Sequence, residues 1–277
     1  MKKQIITGLF ATLLVLSLSA CAKEDDSKIV VGASSTPHAE ILEQVKESLK
    51  EEGYKLEIKV LDDYVTPNTF LEEGTIDANY FQHTPYLENF NKEKGTHLVA
   101  VAKIHYEPLA IYGKNVSATD YQTNKSGRTI IIPSDGSNCT RALFVLQDEG
   151  YISLKAGVKA SDNLSVLDIA DAKNNTVTPV EAKQIPAQLA NAQEGTIACI
   201  NGNYALAAGL NFSDSLASEV ATGEAALLYA NIIAVKKGKE DSPKIKALVK
   251  ALQSEKVYNY INNTYAGAVK PSFSLDK

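Results

Sequence analysis

Only two of the 28 basic residues are arginines, Arg128 and Arg141, so lysine serves almost everywhere a generic surface cation would do. A planar guanidinium can grip a carboxylate through two parallel hydrogen bonds, which an ammonium cannot. Arg141 follows the apolar run TIIIP and the polar turn Asp135-Gly136-Ser137-Asn138, at the start of a helical pattern bearing Ala142, Leu143 and Leu146. Ligands of open α/β sheets bind beyond the carboxyl ends of the strands, and a helix start adds free N–H groups and positive dipole. Arg141 is therefore expected to meet the acidic end of a ligand, the competing assignment being a surface pair with Asp148 or Glu149. Arg128 stands in a polar linker just before a strand and is expected to face solvent.

Other strand ends carry neutral donors and acceptors. TIACIN closes on Asn201, with Asn203 and Tyr204 after it, and Asn231 interrupts the apolar run LLYANIIAVK. An amide buried in a strand needs a partner; a polar ligand is one, a turn or an internal hydrogen bond the other. The segment IDANYFQHTPYL brings Tyr80, Phe81, His83 and Tyr86 together, either as core packing or as the wall of a pocket for an apolar side chain. Cys139 and Cys199 sit beside two of these sites and form a possible disulfide, permitted outside the cytosol.

Enzymatic signals are missing: there is no G-x-S-x-G, no H-E-x-x-H and no P-loop, and no histidine stands near Cys139 in the sequence. Metal capture would need three of the four histidines, His38, His83, His97 and His105, to converge with Glu40 or Glu107, although none of their spacings is a close ligand pair. The reading is a binding protein that is not an enzyme and uses no metal or cofactor.

The elements that must hold these residues alternate strand and helix. IVVGAS and KLEIKVLDD read as strands, with Ile41, Leu42, Val45 and Leu49 at helical spacing between them. Between Gly113 and Gly127 the chain turns polar, and a second α/β series follows. This implies two lobes hinged as a clamp: lobe 1 at 29–112 plus 229–277, and lobe 2 at 113–228. The chain would enter the second lobe once and return to finish in the first.

Ahead of them, Lys2 and Lys3 precede an apolar run, Ile5 to Ala20, shorter than the roughly 20 residues a spanning helix needs, which is the secretory pattern. Leu18-Ser19-Ala20-Cys21 resembles the lipobox of bacterial lipoproteins, which implies a signal peptide over 1–20 and a lipid on Cys21. The charged residues that follow suggest a stalk over 21–28, and the anchor would place the protein at the extracytoplasmic face of the cell membrane. The formal net charge is −5, and −7 without Lys2 and Lys3, so nucleic acid is not an expected partner.

Six stretches in order, GASSTPHAEIL (32–42), DYVTPN (63–68), DANYFQHTPYL (77–87), SNCTRAL (137–143), INGNYA (200–205) and YANIIAV (229–235), are similar to the NlpA-type methionine-binding lipoproteins, the substrate-binding components of methionine ABC importers. The resemblance runs from about Ile29 to the GAVK at 267–270. It implies a two-lobe periplasmic-binding fold, type II-like, with a ligand cleft between the lobes. It also implies that Arg141 of the Asn138-x-x-Arg141 turn holds the ligand carboxylate. Asn201 and Asn231 would bind the amino-acid backbone, and Tyr80, Phe81 and His83 would line the thioether pocket. Permease and ATPase subunits of the importer are the implied partners. L-methionine, D-methionine, a methionine-containing dipeptide and another small amino acid stay open as ligands. Cys139 and Cys199 are departures from the family pattern.

Overall fold

The computed structural model describes residues 26–220 and 227–275; the expected leader, Cys21 and the stalk as far as 25 lie outside the described residues. The run KIVVGA becomes β1 (Lys28–Ala33), with Ile29, Val31 and Ala33 fully buried, as period-two patterning places them. Lys28 pairs with Lys55, and the Ser27 carbonyl accepts the Lys55 N–H. The expected stalk therefore gives way to sheet before residue 28.

The chain continues through α1 (Glu40–Glu43), α2 (Lys46–Glu51), β2 (Lys55–Val60), α3 (Thr66–Glu73), β3 (Ala78–His83), α4 (Thr84–Lys94) and β4 (Leu98–Tyr106). It crosses to a second lobe of β5 (Ala110–Gly113), α5 (Ala118–Thr123), β6 (Thr129–Pro133) and α6 (Gly136–Asp148). A short ribbon follows, β7 (Ser153–Leu154) against β8 (Ile169–Asp171), then β9 (Thr176–Val180), α7 (Ile185–Ala190), β10 (Ile197–Ile200), α8 (Gly202–Ala207) and β11 (Ala217–Ser218). It returns as β12 (Asn231–Lys236), α9 (Pro243–Leu252), α10 (Glu255–Thr264) and β13 (Lys270–Pro271). The result is a two-lobed α/β molecule. One sheet has the order β13-β4-β12-β3-β1-β2 and the other β11-β5-β10-β6-β9.

The second sheet is covered on both faces, and its central strands alternate strictly. Ile111, Ile130, Ile132, Ile197 and Cys199 enter one apolar cluster, while Ala110, Tyr112, Ile131, Ala198 and Ile200 enter another. Burial on both faces is why these strands read as continuous apolar runs. β5 pairs with β10, so the first crossing lies between Tyr106 and Ala110, not at 112/113 as expected. The polar stretch after Gly113 marks the end of β5, whose apolar residues are buried by the second lobe. Among the described residues, no helix is long and apolar enough to cross a membrane.

The two buried cysteines are free thiols packed in one cluster, so the possible disulfide is not formed. Arg128 is buried as well, against expectation. Its guanidinium donates to the carbonyls of Asn124, Gly195 and Asp120 and to the Asp120 carboxylate, tying α5 to the start of β6.

Candidate ligand-binding cleft

The cleft opens between the lobes, beyond the ends of β3, β6 and β10. Its floor is organised by α6. Asp135 caps that helix by accepting the Asn138 N–H at 2.9 Å, and also takes both amide contacts of Asn138 Nδ2 at 3.0 and 3.1 Å. The amide is thereby oriented with Oδ1 outward. That oxygen accepts from Asn201 Nδ2 at 2.8 Å, Arg141 Nη1 at 3.2 Å and His83 Nε2 at 3.2 Å. Asn138 is therefore a hub joining α6, the end of β10 and the end of β3, with its own hydrogen-bonding capacity filled.

His83 caps α4 through Nδ1, which accepts the Tyr86 N–H at 3.2 Å, so its proton sits on Nε2 and points at Asn138. Burial, with Arg141 adding repulsion, pulls its pKa down to about 3 and keeps it neutral.

Arg141 differs from expectation in how it is engaged. Nε donates to Glu219 Oε1 at 2.9 Å, and Nη2 donates to Glu219 Oε2 at 2.6 Å and to the Glu107 carbonyl at 3.0 Å. The forked edge expected to grip a ligand carboxylate is thus held by Glu219. Of its five N–H groups, one on Nη1 remains without a protein acceptor among the described residues. Tyr229 lies under the guanidinium at 4.5 Å. Burial opposes the charge, but Glu219 outweighs it and holds the guanidinium protonated. In turn Arg141 draws the Glu219 carboxyl below its usual range despite burial. Glu219 also accepts from Tyr106 Oη and the Leu109 N–H, so this pair sits against the first crossing between the lobes.

The aromatic side is Tyr64, Phe81 and Tyr86, with ring centroids 5.7 to 6.0 Å apart. Tyr80 is absent from it. It is fully buried in the core of the first lobe, and its hydroxyl bonds His105 Nδ1. Alternation with Ala78 sends it there, and a bulge follows: Ile232 pairs with Gln82 and Ile233 with Tyr80, leaving Phe81 as an extra residue. Bulges re-aim side chains. Phe81 lines the cleft, and the extra residue turns Gln82 to the side of Asn79, where both amides bond Asn68.

Asn201 and Asn231 both line the cleft. Asn231 Oδ1 bonds His38 Nε2 at 3.0 Å, whereas Asn201 Oδ1 has no hydrogen-bond partner among the described residues. The cleft also holds Tyr64, Glu107 and Asn203; the sequence named Glu107 only as a possible metal partner and Asn203 only as a polar residue after a strand end, and did not place Tyr64 at a site. Tyr64 lies inside one of the stretches quoted above, DYVTPN, the signal that pointed to it. Tyr64 Oη donates to Asn203 Oδ1 at 2.6 Å, and Asn163 donates to Asn89 at 2.6 Å, so the lobes are latched across the mouth.

Behind the wall, His38, His105 and Glu107 do converge, with ligand atoms within 4.8 Å of one another. His83 and His97 do not join them. The three form a relay: Tyr80 donates to His105 Nδ1, His105 Nε2 donates to Glu107 Oε1 at 2.7 Å, and His38 Nε2 lies 3.5 Å from the same oxygen. Both nitrogens of His105 are committed, and Tyr265 rather than a histidine takes Glu40.

The NlpA lipoprotein family model matches residues 29–273. The chain belongs to the NlpA lipoprotein family. It is 38% identical over 276 residues to the methionine-binding lipoprotein MetQ of Bacillus subtilis, covering 97% of this chain and 98% of that protein. It is 35% identical to the membrane lipoprotein TpN32 of Treponema pallidum, covering 96% of each. Among solved structures, a nutrient-binding protein from Burkholderia cenocepacia bound to methionine superposes with a TM-score of 0.80 at 36% identity, covering 88% of this chain and all of that one. A lipoprotein from Ruminococcus gnavus gives 0.83 at 50% identity, covering 90% and 100%.

Proposed function

We propose that this NlpA-family lipoprotein captures methionine and delivers it to the permease and ATPase subunits of an ABC importer, without changing it chemically. The observation that carries this reading is a single cleft with a buried guanidinium and amides at one end and the Tyr64–Phe81–Tyr86 wall at the other. Burying a methionine side chain contributes about 1.5–3 kcal/mol. A hydrogen bond to its charged ends contributes about 1.5–3 kcal/mol. Micromolar binding needs about 8.2 kcal/mol, so both ends must be held at once, and a cleft between two lobes does this by closing. The methionine-bound relative supports the choice of ligand.

The lipid on Cys21 belongs to the same proposal: it tethers the molecule to the outer face of the cell membrane beside the permease, and a relative named as a membrane lipoprotein supports the anchor. Mass spectrometry of small molecules carried through native purification, followed by calorimetry with L-methionine, D-methionine, methionine-containing dipeptides and other amino acids, tests the ligand. Recovery of unaltered methionine supports the reading; a panel in which no amino acid or dipeptide binds overturns it. Substitution Cys21→Ser should move the protein from the membrane fraction to the soluble one.

A further inference from the structure

Glu107 is a buried carboxylate on the cleft wall, and among the described residues no lysine or arginine pairs with it. Its neighbours are His105 and His38, whose pKa values burial pulls down to about 3 and about 4, so both are neutral. The nearest guanidinium, on Arg141, gives its forked edge to Glu219 and takes only the backbone carbonyl of Glu107. Arg141 and Glu219 therefore balance as a pair. Glu107 remains a site for negative charge without a protein cation, which is costly in a low-dielectric interior unless a cation arrives.

Two further observations place it at the ligand. Asn201 is buried, lines the same cleft and leaves Oδ1, an acceptor, without a partner among the described residues. The next residue, Gly202, is shaped around Glu107: a Cβ there would stand 2.5 Å from Glu107 Oε2 and 2.8 Å from its Cβ. Glycine at this point lets the carboxylate lie against the turn that presents Asn201. One acidic and one neutral acceptor thus face the cleft together, the arrangement that suits an ammonium with several N–H groups to place.

We propose that Glu107 is the residue that makes this site specific for α-amino acids: together with Asn201 Oδ1 it holds the ligand's ammonium, and acids lacking that group are rejected. This rests on the reading of the cleft as an amino-acid site and adds the group that selects the zwitterion over a plain carboxylate. Rejection follows because a des-amino acid brings a second negative charge beside Glu107 and leaves Asn201 unsatisfied.

Calorimetry on the full chain would compare methionine with 4-(methylthio)butanoic acid, and leucine with 4-methylpentanoic acid, for the wild type, Glu107→Gln and Asn201→Ala. The wild type should prefer the amino acid by at least about 100-fold. Glu107→Gln should shrink that ratio to below about tenfold while binding the des-amino acid no more weakly than the wild type does. A Glu107→Gln protein that melts normally and keeps the full ratio overturns the proposal, as does a wild type that takes both acids equally. Should Glu107→Gln fail to fold, Asn201→Ala and Gly202→Ala, which crowds the carboxylate without removing it, carry the same comparison: unchanged ratios in both overturn it. A protein that binds leucine but not methionine would correct the choice of ligand and leave the ammonium test standing. A protein that binds no amino acid removes both.

Discussion

Arg141 and Glu219 each satisfy the other's charge in a buried setting, so single substitutions and the double one should behave differently. Arg141→Ala strands the Glu219 carboxylate, still held by Tyr106 and Leu109, and should cost about 3–5 kcal/mol of folding stability in urea titrations. The double variant Arg141→Met with Glu219→Gln should recover most of that, because no lone charge remains. Methionine affinity should stay about 100-fold down in both. If the double variant regains full affinity along with stability, the guanidinium does not touch the ligand. The cysteines make a second prediction at this scale. Burial pushes the Cys139 thiol up to about 12 and that of Cys199 higher still, and the thiolate is the reactive form. An alkylating reagent should leave both unmodified in the native protein and label both in denaturant, whereas fast native labelling would show that this cluster opens.

Alternation along β3 makes Tyr80 a core residue and Phe81 a wall residue. Phe81→Ala should weaken methionine by about 1.5–3 kcal/mol and alanine, which lacks the apolar side chain, far less; equal losses would make Phe81 a core residue. This element also marks the limit of what sequence carries. The buried runs TIIIP and TIACIN were legible because strands covered on both faces need apolar residues at every position. The positions of Arg141 and Asn201 in the cleft were legible because they follow strand ends, and that of Asn231 because an amide interrupting an apolar run needs a partner. That of Tyr80 was not, since alternation puts neighbouring aromatics on opposite faces without saying which face is core, and that is set by packing against β12 and helices far along the chain. Glu219 was hidden, and Glu107 was named only as a possible metal partner of the histidines: their meaning comes from Arg141 and the cleft that the fold brings to them. Arg128 looked solvated because its acceptors are backbone carbonyls of α5 and of the turn before β10, groups that leave no mark in the side-chain sequence.

Across the whole molecule, the cleft is closed by contacts between neutral groups backed by three buried histidines, and this fixes how stability responds to acid. Burial lowers His38 to about 4 and His83 and His105 to about 3, whereas each titrates near 6.5 in an unfolded chain. Below that pH the unfolded chain takes up three protons that the folded one refuses, so the equilibrium shifts toward unfolding. Stability contributed by these residues is complete above pH 6.5 and is lost as pH falls toward 4 for His38 and toward 3 for the others, at about 1.4 kcal/mol per pH unit for each. Glu219, also depressed, adds a loss in the same direction lower in the range, below the ordinary carboxylate pKa of about 4.3. Glu107 and Asp135 are raised by burial and work the opposite way there, so the clean window lies between pH 6.5 and 5. Urea midpoints measured at pH 7.5, 6.5, 5.8 and 5.0 should be level between the first two and fall steeply after them. His105→Gln, which removes the central member of the relay, should start from lower stability but lose one histidine's share of the slope. A flat profile down to pH 5 would mean that the folded protein accepts those protons, and hence that water or another base reaches the relay behind the cleft wall.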